Sequence, residues 1–115
     1  MREAIYKICP KELWREAEAA GVFDGAPIDR ADGFIHFSTA AQVRETAARH
    51  FAGQSGLMLV TVDASSLGGD LRWEPSRGGD LFPHLYAPLL ISAVRNVVNL
   101  PLGPGGLHMF PAGLP

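Results

Sequence analysis

Apolar and polar positions alternate along this chain in blocks that set out its elements in order. Ile5, Tyr6 and Ile8 predict a short strand ending at Pro10. Proline suits a first helical turn, and Lys11 to Ala20 then supplies good helix formers, with Leu13, Trp14 and Ala17 on one face and Glu12, Arg15, Glu16 and Glu18 mostly opposite. Gly21 is placed to cap its end. Gly25 to Gly33, rich in glycine, proline, aspartate and arginine, reads as a loop. Phe34 to Phe37 predicts a strand, Ile35 and Phe37 facing one way and Phe34, His36 and Ser38 the other. Thr39, with Gln42 three residues on, resembles a capping box opening a second helix to about Phe51. Val43, Ala47 and Phe51 give that helix a buried stripe, and Gly53 closes it.

Leu57 to Val62 is nearly continuous in apolar content, the pattern of a central strand. Asp63 to Asp70 is a turn region. Leu71 and Trp73 mark a short strand with Arg72 and Glu74 on its other face, and Arg77-Gly78-Gly79-Asp80 a turn. Leu81 to Tyr86 is extended chain, since Pro83 and Pro88 exclude a helix. Ala93 to Leu100 adds a last strand. Residues 101–115 are dense in glycine and proline, which argues against regular structure there, although Leu107, Met109 and Phe110 are suited to pin this tail to the body. The sum is a small single α+β domain over residues 1–100 with a tail over 101–115. Its expected build is two helices near the front and a mainly antiparallel, curved sheet behind.

Composition narrows the function classes. The chain has 115 residues, 47% of them hydrophobic and 19% charged, as a folded single domain requires. Its formal net charge is −2, and its basic residues form no stripe that would follow a phosphate backbone, so no nucleic-acid partner is expected. The only cysteine, Cys9, excludes an intrachain disulfide and a cysteine-based zinc site. The N-terminus has no apolar core of a signal peptide, and no segment reaches the ~20 apolar residues that span a bilayer. No membrane partner is expected, and the expected location is cytoplasmic. No oligomeric state follows from the sequence.

Two segments carry candidate chemistry. Asp32-Gly33-Phe34-Ile35-His36-Phe37-Ser38-Thr39 and Phe82-Pro83-His84-Leu85-Tyr86 each place a histidine in an apolar strand, where an imidazole needs a polar partner. With Ser38, Thr39, Tyr86 and Glu74 they point to a polar cleft. His36 stands before a helix start formed by Ser38, Thr39 and Ala40, whose free N–H groups would cradle an anion; the bland alternatives are a satisfied core histidine and simple capping. His84 and Tyr86, two apart, face one side and can grip a sugar hydroxyl or stack on a ring, or simply pack. Glu74 offers acid–base chemistry or an ion pair with a nearby arginine such as Arg72. Arg49 reads as a solvated helix residue, and His50 and His108 as surface histidines outside the site. His36, His84 and Glu74 would form a two-histidine, one-carboxylate metal set, but no local His-x-x-x-His pair supports it and no metal is assigned. No P-loop, dinucleotide fingerprint or nucleophile elbow is present.

The segments Ile5-Tyr6-Lys7-Ile8, Trp14, Asp32 to Thr39, Gln42, Thr46-Ala47, Phe51, Leu57 to Asp63, Leu71-Arg72-Trp73-Glu74 and Phe82 to Tyr86, in that order, resemble the bacterial DUF952 family, whose name states an unknown function. That family is similar, distantly, to the ADP-ribosyltransferase superfamily, which includes RNA 2′-phosphotransferases. There a strand histidine holds the ribose of NAD, an aromatic residue stacks on nicotinamide and a glutamate assists the glycosidic step. The resemblance implies the first role for His36. Tyr86 and Glu74 are candidates for the other two, which no motif assigns, and the arginines of the phosphotransferase branch do not map onto Arg49 or Arg72. It thus implies an ADP-ribosyltransferase-like fold and a polar cleft in which His36, Ser38, Thr39, His84 and Tyr86 bind an NAD- or ADP-ribose-like nucleotide. His36 and Glu74 would act on it, in a glycosyl-transferase-like or phosphotransferase-like reaction. The alternative is a non-enzymatic module that binds a small metabolite or a protein, its histidines serving structure.

Overall fold

The computed structural model describes residues 3–114. The chain runs β1 (Ala4–Pro10), α1 (Lys11–Ala20), β2 (Val22–Phe23), α2 (Pro27–Asp32), β3 (Ile35–His36), β4 (Ser38–Thr39), α3 (Val43–His50), β5 (Leu57–Asp63), β6 (Leu71–Pro75), β7 (Leu81–Leu85), β8 (Leu89–Leu90) and β9 (Val94–Leu100). Every strand pairing is antiparallel. In place of one curved sheet the described residues form three: a four-stranded sheet ordered β4-β1-β5-β9, a three-stranded sheet ordered β3-β7-β6, and the pair β2-β8. The fold is a small α+β domain. Among the described residues no helix is long and apolar enough to cross a membrane.

The period of two in β1 and β5 explains the layering. Ile5 and Cys9 of β1, with Val60 and Val62 of β5, face a core filled by Trp14 and Ala17 of α1, Phe23, Ile35, Phe37, Leu85 and Leu89. Tyr6, Ile8, Leu57 and Leu59 face the other way, toward Val43 and Ala47 of α3 and Leu100 and Leu114. β5 is therefore covered on both faces, which is why its sequence is almost unbroken in apolar residues.

Three local expectations need correction. The stretch expected as a loop contains α2, a third helix. Pro27 opens it and Gly33, at φ 87°, caps its end in the left-handed conformation. The helix expected to open at Thr39 begins at Val43. Gln42 does supply half of a capping box, its Oε1 accepting the Thr39 N–H at 3.0 Å. Thr39 itself, however, is in β4, paired with Ile5. The C-terminal tail is held by Leu114, which is buried, and by Phe110, whose ring lies 5.3 Å from the Arg44 guanidinium. Leu107 and Met109 are exposed.

β3 and β4 belong to different sheets. The chain passes from one to the other at Phe37, whose N–H donates to the Pro83 carbonyl at 3.0 Å while its ring is buried in the core. The candidate chemistry lies around this crossing.

Candidate functional site

Asp29 is the centre of the first group. It is 1% exposed, the third residue of α2, and its carboxylate reaches back to accept the Ala26 N–H at 2.7 Å. Lys7, 5% exposed, projects from the core side of β1 and donates to both carboxylate oxygens, at 2.9 and 2.8 Å. Asp29 Oδ1 also accepts the His36 backbone N–H at 3.1 Å and its Nδ1–H at 2.7 Å. Burial pushes this carboxyl up, but the His36 hydrogen bond and the charge and hydrogen bond of Lys7 outweigh it and hold the pKa at about 2. The close approach needs a glycine nearby: a Cβ on Gly25, at φ 109°, would meet the Asp29 Cβ at 2.9 Å.

His36 is therefore held from one side by Asp29. On the other side its Nε2 lies 2.9 Å from Oδ2 of Asp32, the last residue of α2. A carboxylate oxygen thus faces each ring nitrogen of His36. One face of a six-residue helix thus supplies both partners of the histidine.

The second group lies across the strand pair. His36 and His84 are register partners in β3 and β7, with ring centroids 5.5 Å apart. The His84 Nδ1–H donates to Glu74 Oε1 at 2.8 Å, and the Tyr86 hydroxyl donates to the same oxygen at 2.7 Å. The His84 and then the Tyr86 hydrogen bond hold the Glu74 carboxyl below its usual range, and the bond to Glu74 raises Tyr86 in turn. Phe34 stacks on His84 at 4.1 Å and packs tilted against His36 and Tyr86. The Arg72 guanidinium lies over the outer side, 4.6 Å from the Tyr86 ring centroid.

A cleft of about 530 Å³ opens beside both groups. Its polar lining comes from Lys7, Asp32, His36, Ser38, Ser76 and His84, and its apolar walls include Phe37, Phe51 and Phe82. This is the size and mixture of a small-molecule site. His84 is 6% exposed, and its Nε2 has no partner among the described residues. The Tyr6 hydroxyl, also on the cleft wall, belongs to a residue 8% exposed and has none either.

His36, His84 and Ser38 line one cleft. Ser38 bonds to the Thr46 hydroxyl at 2.9 Å and so is tied to α3. Thr39, Glu74 and Tyr86 are not among the cleft lining. The Thr39 N–H is taken by Gln42, so the expected anion cradle at this position is filled from within the chain. Glu74 stands behind His84. It does not converge with the two histidines, and no group of three His, Cys, Asp or Glu side chains among the described residues is arranged to hold a metal. His50, read as a surface residue, lines the cleft.

Asp29, Asp32, Lys7 and Tyr6 escaped the sequence reading. A signal was present for two of them, Lys7 and Asp29. Lys7 shares a strand face with Ile5 and Cys9, and a buried lysine requires an anion. Pro27 followed by Asp29 and closed by Gly33 is a short helix with a side chain placed to cap it.

Residues 8–97 match the family described as Protein of unknown function (DUF952). Among solved structures, the chain is similar to the X-ray structure of protein CC0527 from Caulobacter crescentus. The two are 50% identical over 92% of this chain and 93% of that one, with a TM-score of 0.90. The solution NMR structure of the same protein gives 51% identity over 90% of each chain and a TM-score of 0.83. No curated protein matches the chain.

Proposed function

The chain belongs to the DUF952 family, and from the geometry of its cleft we propose that it binds a small, neutral ring compound bearing hydroxyls, with His84 accepting a hydrogen bond from it. One observation carries this reading. His84 is buried, its Nδ1–H is fixed on Glu74 at 2.8 Å, and its Nε2, left as the acceptor, belongs to the lining of a 530 Å³ cleft. A carboxylate on one imidazole nitrogen sets the tautomer and aims the other nitrogen, the arrangement by which a histidine acts as a general base. Glu74 is then the positioning residue for His84 rather than a group facing the ligand.

An NAD- or ADP-ribose-like nucleotide fits this reading through its ribose. Lys7 is tied to both oxygens of Asp29, and no arginine is among the described cleft-lining residues, so the described lining offers no arginine to pair with a pyrophosphate. The alternative, a binding module with structural histidines, draws support from His36, whose two ring nitrogens are both engaged within the fold.

The test is a thermal-shift series of the purified chain with adenosine, NAD, ADP-ribose and nicotinamide, repeated with His84→Ala. A compound at 100 times its Kd adds about 2.7 kcal/mol and moves the midpoint by several degrees. The expected result is a shift with the ribosyl compounds that is lost in His84→Ala. No shift with any of them would overturn the reading.

A further inference from the structure

We propose that the outer edge of β6 is a self-association surface, pairing antiparallel with β6 of a second copy of this chain about a twofold axis at Trp73. It is independent of what the cleft binds.

β6 is the outer strand of the sheet ordered β3-β7-β6. Its pairing with β7 runs unbroken from Leu71 opposite Leu85 to Pro75 opposite Leu81. Just beyond the two ends, the Tyr86 N–H donates to the Asp70 carbonyl and the Ser76 N–H to the Asp80 carbonyl. Bonded and non-bonded pairs alternate along an antiparallel ladder. Arg72 and Glu74 therefore turn their backbone groups toward β7, and Leu71, Trp73 and Pro75 turn theirs outward. The Leu71 N–H is taken by the Gly68 carbonyl, and Pro75 has no N–H. Of these residues Trp73 alone keeps an outward donor, beside its own outward carbonyl.

The side chains of this edge complement themselves. Trp73 is 38% exposed, and Leu81, opposite Pro75 on the same face, is 52% exposed. They extend the face on which Leu71 and Leu85 meet the core. β9, the long outer strand of the other sheet, exposes no large apolar side chain among the described residues. On the other face of β6 the exposed Arg72 rests on the Tyr86 ring and has no hydrogen bond or ion pair among the described residues. Glu74 spends Oε1 on His84 and Tyr86, and its Oε2 has no partner among the described residues.

Charge then selects the register. With outward groups bonded to outward groups, Trp73 can face Leu71, Trp73 or Pro75 of the second copy. The first sets Arg72 against Arg72, and the last sets Glu74 against Glu74. Trp73 against Trp73 sets Arg72 opposite Glu74 on both sides of the axis. It also lets the Trp73 N–H and carbonyl groups of the two copies bond reciprocally. Opposite charges directly across an antiparallel pair stabilise it, and like charges oppose it. Such a contact uses the same patch on both copies and closes at a dimer. It also brings Arg72 of the second copy to the carboxylate that holds His84.

Sedimentation velocity of the full chain from about 5 µM to about 500 µM tests this, a range suited to a contact at the small end of specific interfaces. The expected result is a monomer–dimer equilibrium, with tryptophan emission shifting to the blue as Trp73 is covered. Arg72→Glu should weaken the dimer about tenfold or more, because both cross-strand pairs become repulsive. The double variant Arg72→Glu, Glu74→Arg restores the pairs with their signs exchanged and should recover association. Arg72 is exposed, so Arg72→Glu reads the contact even where the double variant does not fold. A chain that stays monomeric across the range overturns the proposal and leaves the edge to some other strand. A dimer unchanged by Arg72→Glu also overturns it, as does a folded double variant that fails to recover.

Discussion

Nδ1 of His36 lies 2.7 Å from Oδ1 of Asp29, a carboxylate seven residues earlier that is 1% exposed and also bound to the Lys7 ammonium. The contact joins a six-residue helix to two sheets, because α2 carries Asp29, β3 carries His36 and β1 carries Lys7. Such a buried ion pair adds little net stability over an apolar replacement, since desolvation offsets its attraction. Its removal from one side is another matter.

Asp29→Ala leaves Lys7 buried without its anion and frees the Ala26 and His36 N–H groups from their acceptor. The expected loss is about 3–5 kcal/mol. Urea unfolding followed by Trp fluorescence should show a lower midpoint with the m-value unchanged; a loss below ~1 kcal/mol would contradict the role given to Asp29.

The same carboxyl sets an acid limit. Its pKa is about 2 in the fold against an ordinary 3.8, so the unfolded chain binds more protons between those values. The Asp29 contribution is complete above about pH 5 and is lost as pH falls through 4 toward 2. Unfolding midpoints measured from pH 6 to pH 2.5 should fall steeply at the acid end. The Asp29→Asn curve should be flatter in that window.

Glu74→Ala removes the acceptor from His84 Nδ1 and from the Tyr86 hydroxyl. The Glu74 side chain is 34% exposed, so the unfolding midpoint should move only slightly. The tautomer should change. Long-range proton–nitrogen correlation spectra are expected to show His84 hydrogen on Nδ1 in the native chain and a mixture in the variant. A native spectrum with hydrogen on Nε2 would remove the basis for His84 as an acceptor toward the cleft.

Cys9 should be inert. It is fully buried in the core beneath α1, and burial, partly countered by Lys7, pushes its thiol up to about 11. Reaction with an aromatic disulfide reagent at pH 8 should proceed at the rate of unfolding, and urea should abolish the protection. A fast phase in the native chain would place the thiol elsewhere.

Legibility in the sequence followed the reach of the interactions. α1, β5 and the facing of Ile35 and Phe37 came from periodicity, which is local. His36 and His84 could be singled out because a polar ring in an apolar strand stands out. That they are register partners depends on β3 pairing with β7, which no single segment announces. The carboxylates were hidden for a different reason. An aspartate among glycine and proline resembles a solvated turn, and only the buried Lys7 across the fold shows that Asp29 has a core partner. Glu74 was recognised as acidic and close to aromatic residues, but its side of the histidine is a matter of rotamer and packing.

The crossing at Phe37 gives the cleft a mechanical character. Ser38, Lys7 and Tyr6 belong to the four-stranded sheet, whereas His36, Phe82 and His84 belong to the three-stranded one, and all six line the same space. The two sheets meet there through a single residue of chain between β3 and β4. A molecule that touches both walls is a strut across that joint. On the proposed reading of the cleft as a ligand site, occupancy would be linked to the angle between the sheets: whatever stiffens the joint would tighten the grip, and a filled cleft would stiffen the joint in return.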